Sequence, residues 1–166
     1  MNIRIAALDD LEEIVEIYNQ AIAAGQKTAD ITPVTVRDRK EWFEEHTPDK
    51  YPILVAQDGD TITGYLTISP YRPGRMAVRH TAEVSYFVRF DHHRRGIASS
   101  LLRYAIDLCP SLQIKTLFAI VLDSNEESIR LLEKHHFEKW GHIPQVAEFD
   151  GIEVGHTYYG LRIAKS

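Results

Sequence analysis

An acidic residue and a basic turn in the middle of the chain have the types and spacing of a proton acceptor beside an anion site. Glu83 lies inside an apolar, β-branched and aromatic segment, thirteen positions before Gly96 in the basic turn. Partial burial raises the pKa of a carboxyl group, and a raised pKa suits it to remove a proton as a general base. A carboxylate that faces solvent or pairs with a cation is the structural alternative for Glu83.

The basic turn predicts a site for a phosphate group at the start of a helix. It contains Gly96, followed by the small residues Ala98 and Ser99. The first backbone N–H groups of a helix have no intrahelical partner and favour an anion, and small residues let a phosphate approach them. The basic side chains of the turn are those of Arg89, His92, His93, Arg94 and Arg95. We interpret the turn as a diphosphate cradle, with a solvated basic surface as the alternative.

Asn125 follows another predicted strand, and its amide group has two possible roles. An asparagine directly before a helix is a preferred N-cap. The functional alternative is a hydrogen bond from the amide to a ligand that lies beside the strand. The pattern leaves both roles open.

Two other chemistries lack their sequence motifs. The chain has eight histidines, but four of them form adjacent pairs, whose side chains diverge on a helix or strand. It contains no HExxH or CxxC motif for a metal and no GxSxG turn for a serine nucleophile. We therefore expect neither metal catalysis nor serine-hydrolase chemistry.

Length and composition predict one globular domain that spans residues 1–166. The chain is 44% hydrophobic and 26% charged, and its formal net charge of -5 argues against a general nucleic-acid binder. Cys109 is the only cysteine, which excludes an intrachain disulfide and suits a reducing cytoplasm. No basic and apolar leader and no apolar run of about 20 residues occurs, so we expect neither secretion nor a membrane span.

The candidate catalytic and binding residues lie on an alternating series of predicted strands and helices, in the order βααββ–βα–βα–ββ. Apolar, β-branched segments predict strands at 2–7, 51–57, 61–69, 80–88, 116–122, 137–143 and 152–163. Apolar residues at helical spacing predict helices from Asp9 to near Gly25, from 35 or 36 to 46, from the cradle to near Cys109, and over 125–136. This order predicts an α/β (α+β) fold, in which a mixed central sheet of about seven strands has helices on both faces. Alternation in the strand before the cradle places Glu83 and Phe87 on one face, and Val84 and Tyr86 on the other.

Several motifs, in order and across nearly the whole chain, make this sequence resemble a GNAT-family N-acetyltransferase. Within the family it is similar to the group that acetylates phosphinothricin and methionine sulfone or sulfoximine. The central match is Arg79-His80-Thr81-Ala82-Glu83-Val84-Ser85, which is followed by the basic turn. The other matching segments are 17–22, 38–39, 42–43, 51–52, 55–56, 64–65 and 125–134, with Phe137.

The resemblance implies roles for the matching residues. Backbone N–H groups of the turn would hold the diphosphate of coenzyme A, and the edge of the preceding strand would pair with the pantetheine arm. Asn125 would also bind pantetheine, and Glu83 falls where this group has its general base. The implied coenzyme residues are Tyr86, Phe87, Val88, His93, Arg94, Arg95, Gly96, Ile97, Ala98, Ser99 and Asn125.

The acceptor amine is expected near the loop between the first two helices, near Tyr71 and Arg72, and near the final hairpin. Arg72 or Arg79 could pair with a carboxylate of the acceptor. A structural salt bridge is the alternative for each arginine.

Three regions depart from the pattern of the family. His93 replaces the usual Gln or Arg, which has little consequence where backbone groups bind the phosphate. Leu132 stands where the family often has a Tyr, and this group a His, that protonates the leaving thiolate. The segment 148–156 lacks the tryptophan that the group commonly has there, which would reshape the acceptor site.

The resemblance implies an enzyme that transfers an acetyl group from acetyl-CoA to the primary amine of a small molecule. Expected acceptors are an amino acid or an analogue such as phosphinothricin or methionine sulfone, without a metal. A homodimer is expected from the group and from the aromatic hairpin of Phe149, Tyr158 and Tyr159, which could instead pack inside the monomer. The alternatives are a non-catalytic domain that senses acetyl-CoA and a nucleotide or nucleic-acid binder, which the net acidity disfavours.

Overall fold

The computed structural model describes residues 1–163, and the last three residues of the predicted domain, 164–166, lie outside this part. The strands are β1 (Asn2–Ile5), β2 (Ile53–Asp58), β3 (Thr61–Pro70), β4 (Thr81–Val88), β5 (Thr116–Leu122), β6 (Glu138–Phe149) and β7 (Ile152–Arg162). The helices are α1 (Leu11–Ala24), α2 (Val36–Glu45), α3 (Ile97–Leu108) and α4 (Glu126–Lys134). The strands form one mixed sheet in the order β1-β2-β3-β4-β5-β7-β6, which confirms the predicted fold class and element order. Within residues 1–163, no helix is both long enough and apolar enough to cross a lipid bilayer.

Several predicted boundaries, including the end of β1 and the start of β2, differ from the structure by one or two residues, and the end of β6 differs by more. The helix α1 begins at Leu11 rather than Asp9, because the chain first forms a short 3₁₀ turn. The Asp10 carboxylate lies 2.7 Å from the Arg4 guanidinium at that turn. The strand β6 is longer than predicted and runs to Phe149, since it continues along β7 after a register shift.

β4 and β5 form the only parallel pair in the described sheet, and they separate soon after they meet. Their pairing joins 81–83 of β4 to 116–118 of β5. β4 stays paired with β3 as far as Val88, and β5 stays paired with β7 as far as Leu122. Beyond Glu83, the facing edges of β4 and β5 therefore lack a strand partner, and a gap opens in the middle of the sheet.

A hydrophobic core on each face of the sheet fixes the direction of the β4 side chains. Val84 and Tyr86 belong to the core that α3 and α4 cover. Phe87 packs on the opposite face, below α1 and α2, where its ring contacts those of Tyr18 and Tyr65. The predicted alternation along β4 is confirmed.

Candidate active site

A cleft of about 540 Å³ opens where β4 and β5 separate. Its walls are the edge of β4, the N-terminal turn of α3, the second half of β5 and the start of α4, with Ala21 of α1 and residues 27–29 of the loop after it. All predicted coenzyme residues except Arg95 line this cleft, whereas Arg95 is exposed outside it. The cleft also includes His92, Lys134 and His156, which were not among the predicted coenzyme residues.

The cradle leaves backbone N–H groups free at the start of α3. Gly96 is the N-cap residue and has a left-handed conformation (φ 75°, ψ 12°), which glycine adopts without strain. The first helical hydrogen bond joins the Ser100 N–H to the Gly96 carbonyl group at 3.0 Å. Within the described chain, the N–H groups of Ile97, Ala98 and Ser99 donate to no backbone or side-chain acceptor. Together with the positive end of the helix dipole, these donors fit a phosphate group.

Only part of the predicted positive charge faces the cleft. Arg94 and His93 border it. The Arg89 guanidinium lies instead 3.0 Å from Glu13 and 2.9 Å from Glu16 of α1. The prediction that Arg89 adds charge to the cradle is therefore wrong, because two carboxylates on another helix bind this side chain.

Asn125 and Tyr86 form the wall of the cleft near α4. The Ser128 N–H donates a hydrogen bond to Asn125 Oδ1 at 3.4 Å, so Asn125 caps α4 and also borders the cleft. The Ser128 hydroxyl donates to the Tyr86 hydroxyl at 3.1 Å. Burial raises the pKa of Tyr86 to about 12 despite this bond, so its phenol stays protonated at neutral pH.

Glu83 lies at the closed end of the cleft, where β4 and β5 are still paired, and it also borders a second cavity. Burial raises the pKa of its carboxyl group above the usual value for glutamate. In residues 1–163, no cation or hydrogen-bond donor contributes to that pKa shift. A half-buried carboxylate with a raised pKa can accept a proton near neutral pH.

The second cavity, of about 190 Å³, lies on the opposite face of the sheet, below α1 and α2. Its polar lining comes from Tyr18, Thr28, Arg39, Thr67, Ser69, Glu83 and Ser85. The Arg39 guanidinium lies 4.6 Å from the ring centre of Tyr18 and 5.1 Å from that of Trp42. It also pairs with Asp30 at 3.4 Å. The cavity thus presents a guanidinium and the Glu83 carboxylate, which complement a molecule with both a carboxylate and an amine.

His46, at the end of α2, supports the wall of this cavity. Its Nδ1 lies 2.7 Å from the Trp42 carbonyl oxygen, which can only accept, so Nδ1 carries the hydrogen. Burial lowers the pKa of His46, and the neutral ring accepts a hydrogen bond from the Ser69 hydroxyl to Nε2 at 3.1 Å. Ser69 lies directly opposite Glu83 in the β3–β4 register, so this bond orients a hydroxyl group beside the carboxylate.

The three residues predicted to bind the acceptor lie outside both cavities. The Tyr71 ring packs edge-on against Phe118, with 5.2 Å between ring centres, and the Arg72 guanidinium lies 6.0 Å from the Tyr71 ring. Arg79 donates a hydrogen bond to the Met76 carbonyl oxygen at 2.8 Å. All three are exposed in or next to the loop between β3 and β4, and their role in acceptor binding stays a prediction.

The sequence reasoning missed the aromatic and cationic residues of the second cavity. Arg39 and Trp42 are three positions apart on α2, so they share one face of that helix. This spacing could have indicated a guanidinium stacked on an aromatic ring. Tyr18 joins them from α1, and no local pattern indicates a contact across two helices.

Comparison with known proteins identifies the family. The profile described as the Acetyltransferase (GNAT) family matches residues 11–137, which include β4, the cradle and Asn125. The chain belongs to the GNAT acetyltransferase family. The predicted enzyme class, a GNAT acyltransferase, is thereby confirmed.

Individual GNAT relatives match almost the whole chain. YwnH of Bacillus subtilis (strain 168), which has a provisional name as a phosphinothricin acetyltransferase, is 40% identical over 152 residues, or 91% of this chain and 92% of YwnH. The L-methionine sulfoximine/L-methionine sulfone acetyltransferase of Pseudomonas paraeruginosa is 32% identical over 98% of this chain and 94% of that protein. A crystal structure of a GNAT superfamily phosphinothricin acetyltransferase from Sinorhizobium meliloti, in complex with acetyl-CoA, has a TM-score of 0.91 and 26% identity. That match covers 98% of this chain and 88% of the other. The resemblance to this group of GNAT enzymes is confirmed.

Proposed function

We propose that this GNAT enzyme transfers the acetyl group of acetyl-CoA to the primary amine of an amino acid or an amino-acid analogue. The observation that carries the proposal is the position of Glu83 on β4, where it borders both the cleft and the second cavity. The cleft fits the coenzyme, the second cavity fits a small amine, and the Glu83 carboxylate borders both. The names of the relatives support acceptors such as phosphinothricin and methionine sulfoximine.

The proposed coenzyme site relies on backbone groups more than on side chains. The free N–H groups at the start of α3 would hold the diphosphate, with His93 and Arg94 beside them. The free edge of β4 at 86–88 would pair with the pantetheine amides like an added strand, and Asn125 would bind the same arm from α4. Acetyl-CoA supplies a thioester, whose carbonyl carbon is open to an amine and whose sulfur leaves as a thiolate.

Glu83 would act as the general base. An amine at neutral pH is mostly ammonium, which cannot attack a thioester. Glu83 would remove a proton from the ammonium, directly or through a water molecule, and the C–N bond then forms while the C–S bond breaks. The nitrogen loses two protons overall, of which one passes through Glu83 to solvent and the other is balanced by the proton gained by sulfur. No metal enters this proposal, and in residues 1–163 no three or more His, Cys, Asp or Glu side chains converge on a metal position.

Arg39 is the best-placed partner for the carboxylate of an amino-acid acceptor. It lies in the same cavity as Glu83, and the rings of Tyr18 and Trp42 hold its guanidinium in place. A fixed guanidinium can bind a carboxylate through two parallel hydrogen bonds. Arg72 and Arg79 stay alternative predictions for this role.

A homodimer and a cytoplasmic location are also part of the proposal. β6 is an edge strand, and such an edge with apolar side chains favours association with another chain. The exposed apolar side chains on β6 and the adjoining end of β7 are Trp140, Ile143, Val146 and Ile152. Tyr159 lies in the core of the monomer, so the β6 surface rather than this residue supports the dimer. Sedimentation of a single species near 19.0 kDa would contradict the dimer.

The cytoplasmic location is supported by Cys109, because a free, buried cysteine suits a reducing compartment.

A screen of coenzyme A release across amino acids, their analogues and polyamines tests the proposed activity. We expect turnover with at least one amino acid or analogue, and loss of that turnover in Glu83→Gln. The alternative, a domain that senses acetyl-CoA, predicts that acetyl-CoA raises the melting temperature while no amine is acetylated. Strong thermal stabilisation without any acetylated product would therefore favour the sensor.

A further inference from the structure

The sulfur that leaves the thioester requires a partner that Leu132 does not provide. This residue occupies the position where the family often has a proton donor, and it is fully buried in the core. A leucine side chain can donate neither a hydrogen bond nor a proton. A thiolate that develops in a partly apolar cleft is costly unless another group of the wall stabilises it.

Tyr86 has the geometry to take this role. It lines the cleft and lies three positions from Glu83, so the two side chains point to opposite faces of β4. The Ser128 hydroxyl donates to the Tyr86 hydroxyl at 3.1 Å, which leaves the phenolic hydrogen for a bond of 3.5 Å to the Ser128 carbonyl oxygen. A bond of that length is at the limit for a hydrogen bond, so the phenolic hydrogen can turn to a better acceptor in the cleft.

Two other polar groups of the cleft are less well placed. His156 lies on β7, beyond β5, and it pairs with Leu122 at the far end of that strand. The Ser99 hydroxyl lies 2.7 Å from His135 Nε2 in the cradle, where the diphosphate is expected. Tyr86, by contrast, lies on β4 itself, at the edge that faces the gap.

We propose, on the basis of the proposed function, that the Tyr86 hydroxyl donates a hydrogen bond to the coenzyme sulfur and stabilises it as the C–S bond breaks. The electron pair of that bond goes to sulfur, which leaves as a thiolate that accepts the Tyr86 hydrogen bond and then takes a proton from water. The second proton lost by the nitrogen goes to water, so the protons balance.

The burial of Tyr86 supports this role. The raised pKa, about 12, keeps the hydroxyl protonated across the pH range in which the enzyme would work. A hydrogen bond to a developing negative charge is also stronger in a cleft that excludes water. β4 would therefore hold a proton acceptor, Glu83, on the side of the amine and a hydrogen-bond donor, Tyr86, on the side of the coenzyme.

The pKa of the coenzyme A thiol bound to the protein tests this inference without turnover. A thiolate absorbs in the ultraviolet, so a pH titration of the complex reports its ionisation, with the complex of desulfo-coenzyme A as the blank. A hydrogen bond to the charged form lowers a pKa, so we expect the bound thiol to ionise about one pH unit lower in the wild type than in Tyr86→Phe. Equal values in the two proteins would overturn the inference.

Tyr104→Phe is the matched control, because Tyr104 is an exposed tyrosine on α3 that does not border the cleft. It should change neither the pKa of the bound thiol nor the rate. With an accepted amine, Tyr86→Phe should lower kcat by about 10²-fold, while KM for acetyl-CoA stays close to that of the wild type. This loss should persist at high pH, unlike the loss in Glu83→Gln, because deprotonating the amine does not help the sulfur to leave.

Different results would contradict the proposed function and the proposed role of Tyr86. If the wild type acetylates no amine, the proposed function fails, while the thiol titration still decides the role of Tyr86. If the wild type acetylates an amine and Tyr86→Phe matches it in both kcat and thiol pKa, only the role of Tyr86 fails. Should Tyr86→Phe fold poorly, Ser128→Ala removes the partner of the hydroxyl and should raise the thiol pKa in the same direction by a smaller amount.

Discussion

The cleft and the second cavity, which meet at β4, offer different kinds of binding site. On the coenzyme side, backbone N–H groups of α3 and the free edge of β4 border a cleft of about 540 Å³. On the acceptor side, side chains from two helices, a loop and two strands border a cavity of about 190 Å³. A backbone site depends on the conformation of the chain, which many sequences can adopt, whereas a side-chain site depends on each residue. We therefore expect coenzyme binding to tolerate most substitutions and acceptor recognition to respond to single ones.

Glu83 belongs to both sides, so its replacement should have the largest effect. Glu83→Gln keeps the shape of the side chain and removes its basicity, and we expect kcat to fall by roughly 10²–10⁴. The Kd of acetyl-CoA, measured by calorimetry, should not change. Glu126→Gln is the control, because Glu126 is an exposed carboxylate paired with Arg130 on α4.

Arg39 tests whether the acceptor side depends on single side chains. Arg39→Met keeps most of the packing between Tyr18 and Trp42 and removes the charge. A hydrogen bond to a charged group contributes about 1.5 to 3 kcal/mol, so KM for an amino-acid acceptor should rise roughly 10- to 100-fold. Arg72→Met should have little effect, because Arg72 lies outside the cavity. The reverse result would move the acceptor site to the loop between β3 and β4.

Gly96 tests whether the coenzyme side depends on backbone conformation. Alanine at φ 75° is strained by about 1 to 2 kcal/mol. If the turn shifts in the free variant and relieves this strain, acetyl-CoA must return the turn to its strained conformation in order to bind. The free energy of that change weakens binding, so the Kd of acetyl-CoA should rise about tenfold. Gly141→Ala should have no effect, since an added Cβ there meets no atom within 4 Å. A larger loss from Arg94→Ala than from Gly96→Ala would show that side-chain charge dominates this site.

The smallest expected effect concerns the pH dependence of stability on the acceptor side. The pKa of His46 is lowered in the folded protein by burial, so on acidification the unfolded chain binds a proton first. The stabilisation from the neutral ring is complete above about pH 6.5 and is lost as pH falls through that value towards the lower folded pKa. Urea unfolding at about pH 7.5 and about pH 5.5 should show a smaller loss on acidification in His46→Gln than in the wild type. An equal loss in both proteins would contradict this assignment.

The coenzyme side could be predicted from the sequence because its determinants are local. The strand, Gly96 and the helix that follows are contiguous, so the pattern of residues specifies the turn and its free N–H groups. Arg89 is the exception in this region. Its partners Glu16 and Glu13 lie 73 and 76 positions earlier in the chain, and only tertiary packing brings them together.

The acceptor side could not be predicted in the same way. Tyr18, Arg39 and Glu83 lie on α1, α2 and β4, and they converge only after both helices pack on the sheet. Tyr71 and Arg72 were expected near the acceptor, and they lie in the loop after β3. The Tyr71 ring instead packs against Phe118 outside the cavity, a position that local patterns do not specify.

The pH dependence of turnover in the wild type and in Glu83→Gln tests the central claim most directly, namely that Glu83 links the two sides of β4 as a base. With one accepted amine, kcat/KM is measured for both proteins from neutral to alkaline pH. The account predicts a large ratio of wild type to variant at neutral pH, which shrinks as pH rises, because more of the amine is already deprotonated. A ratio near one at neutral pH, or a large ratio that does not change with pH, would contradict it.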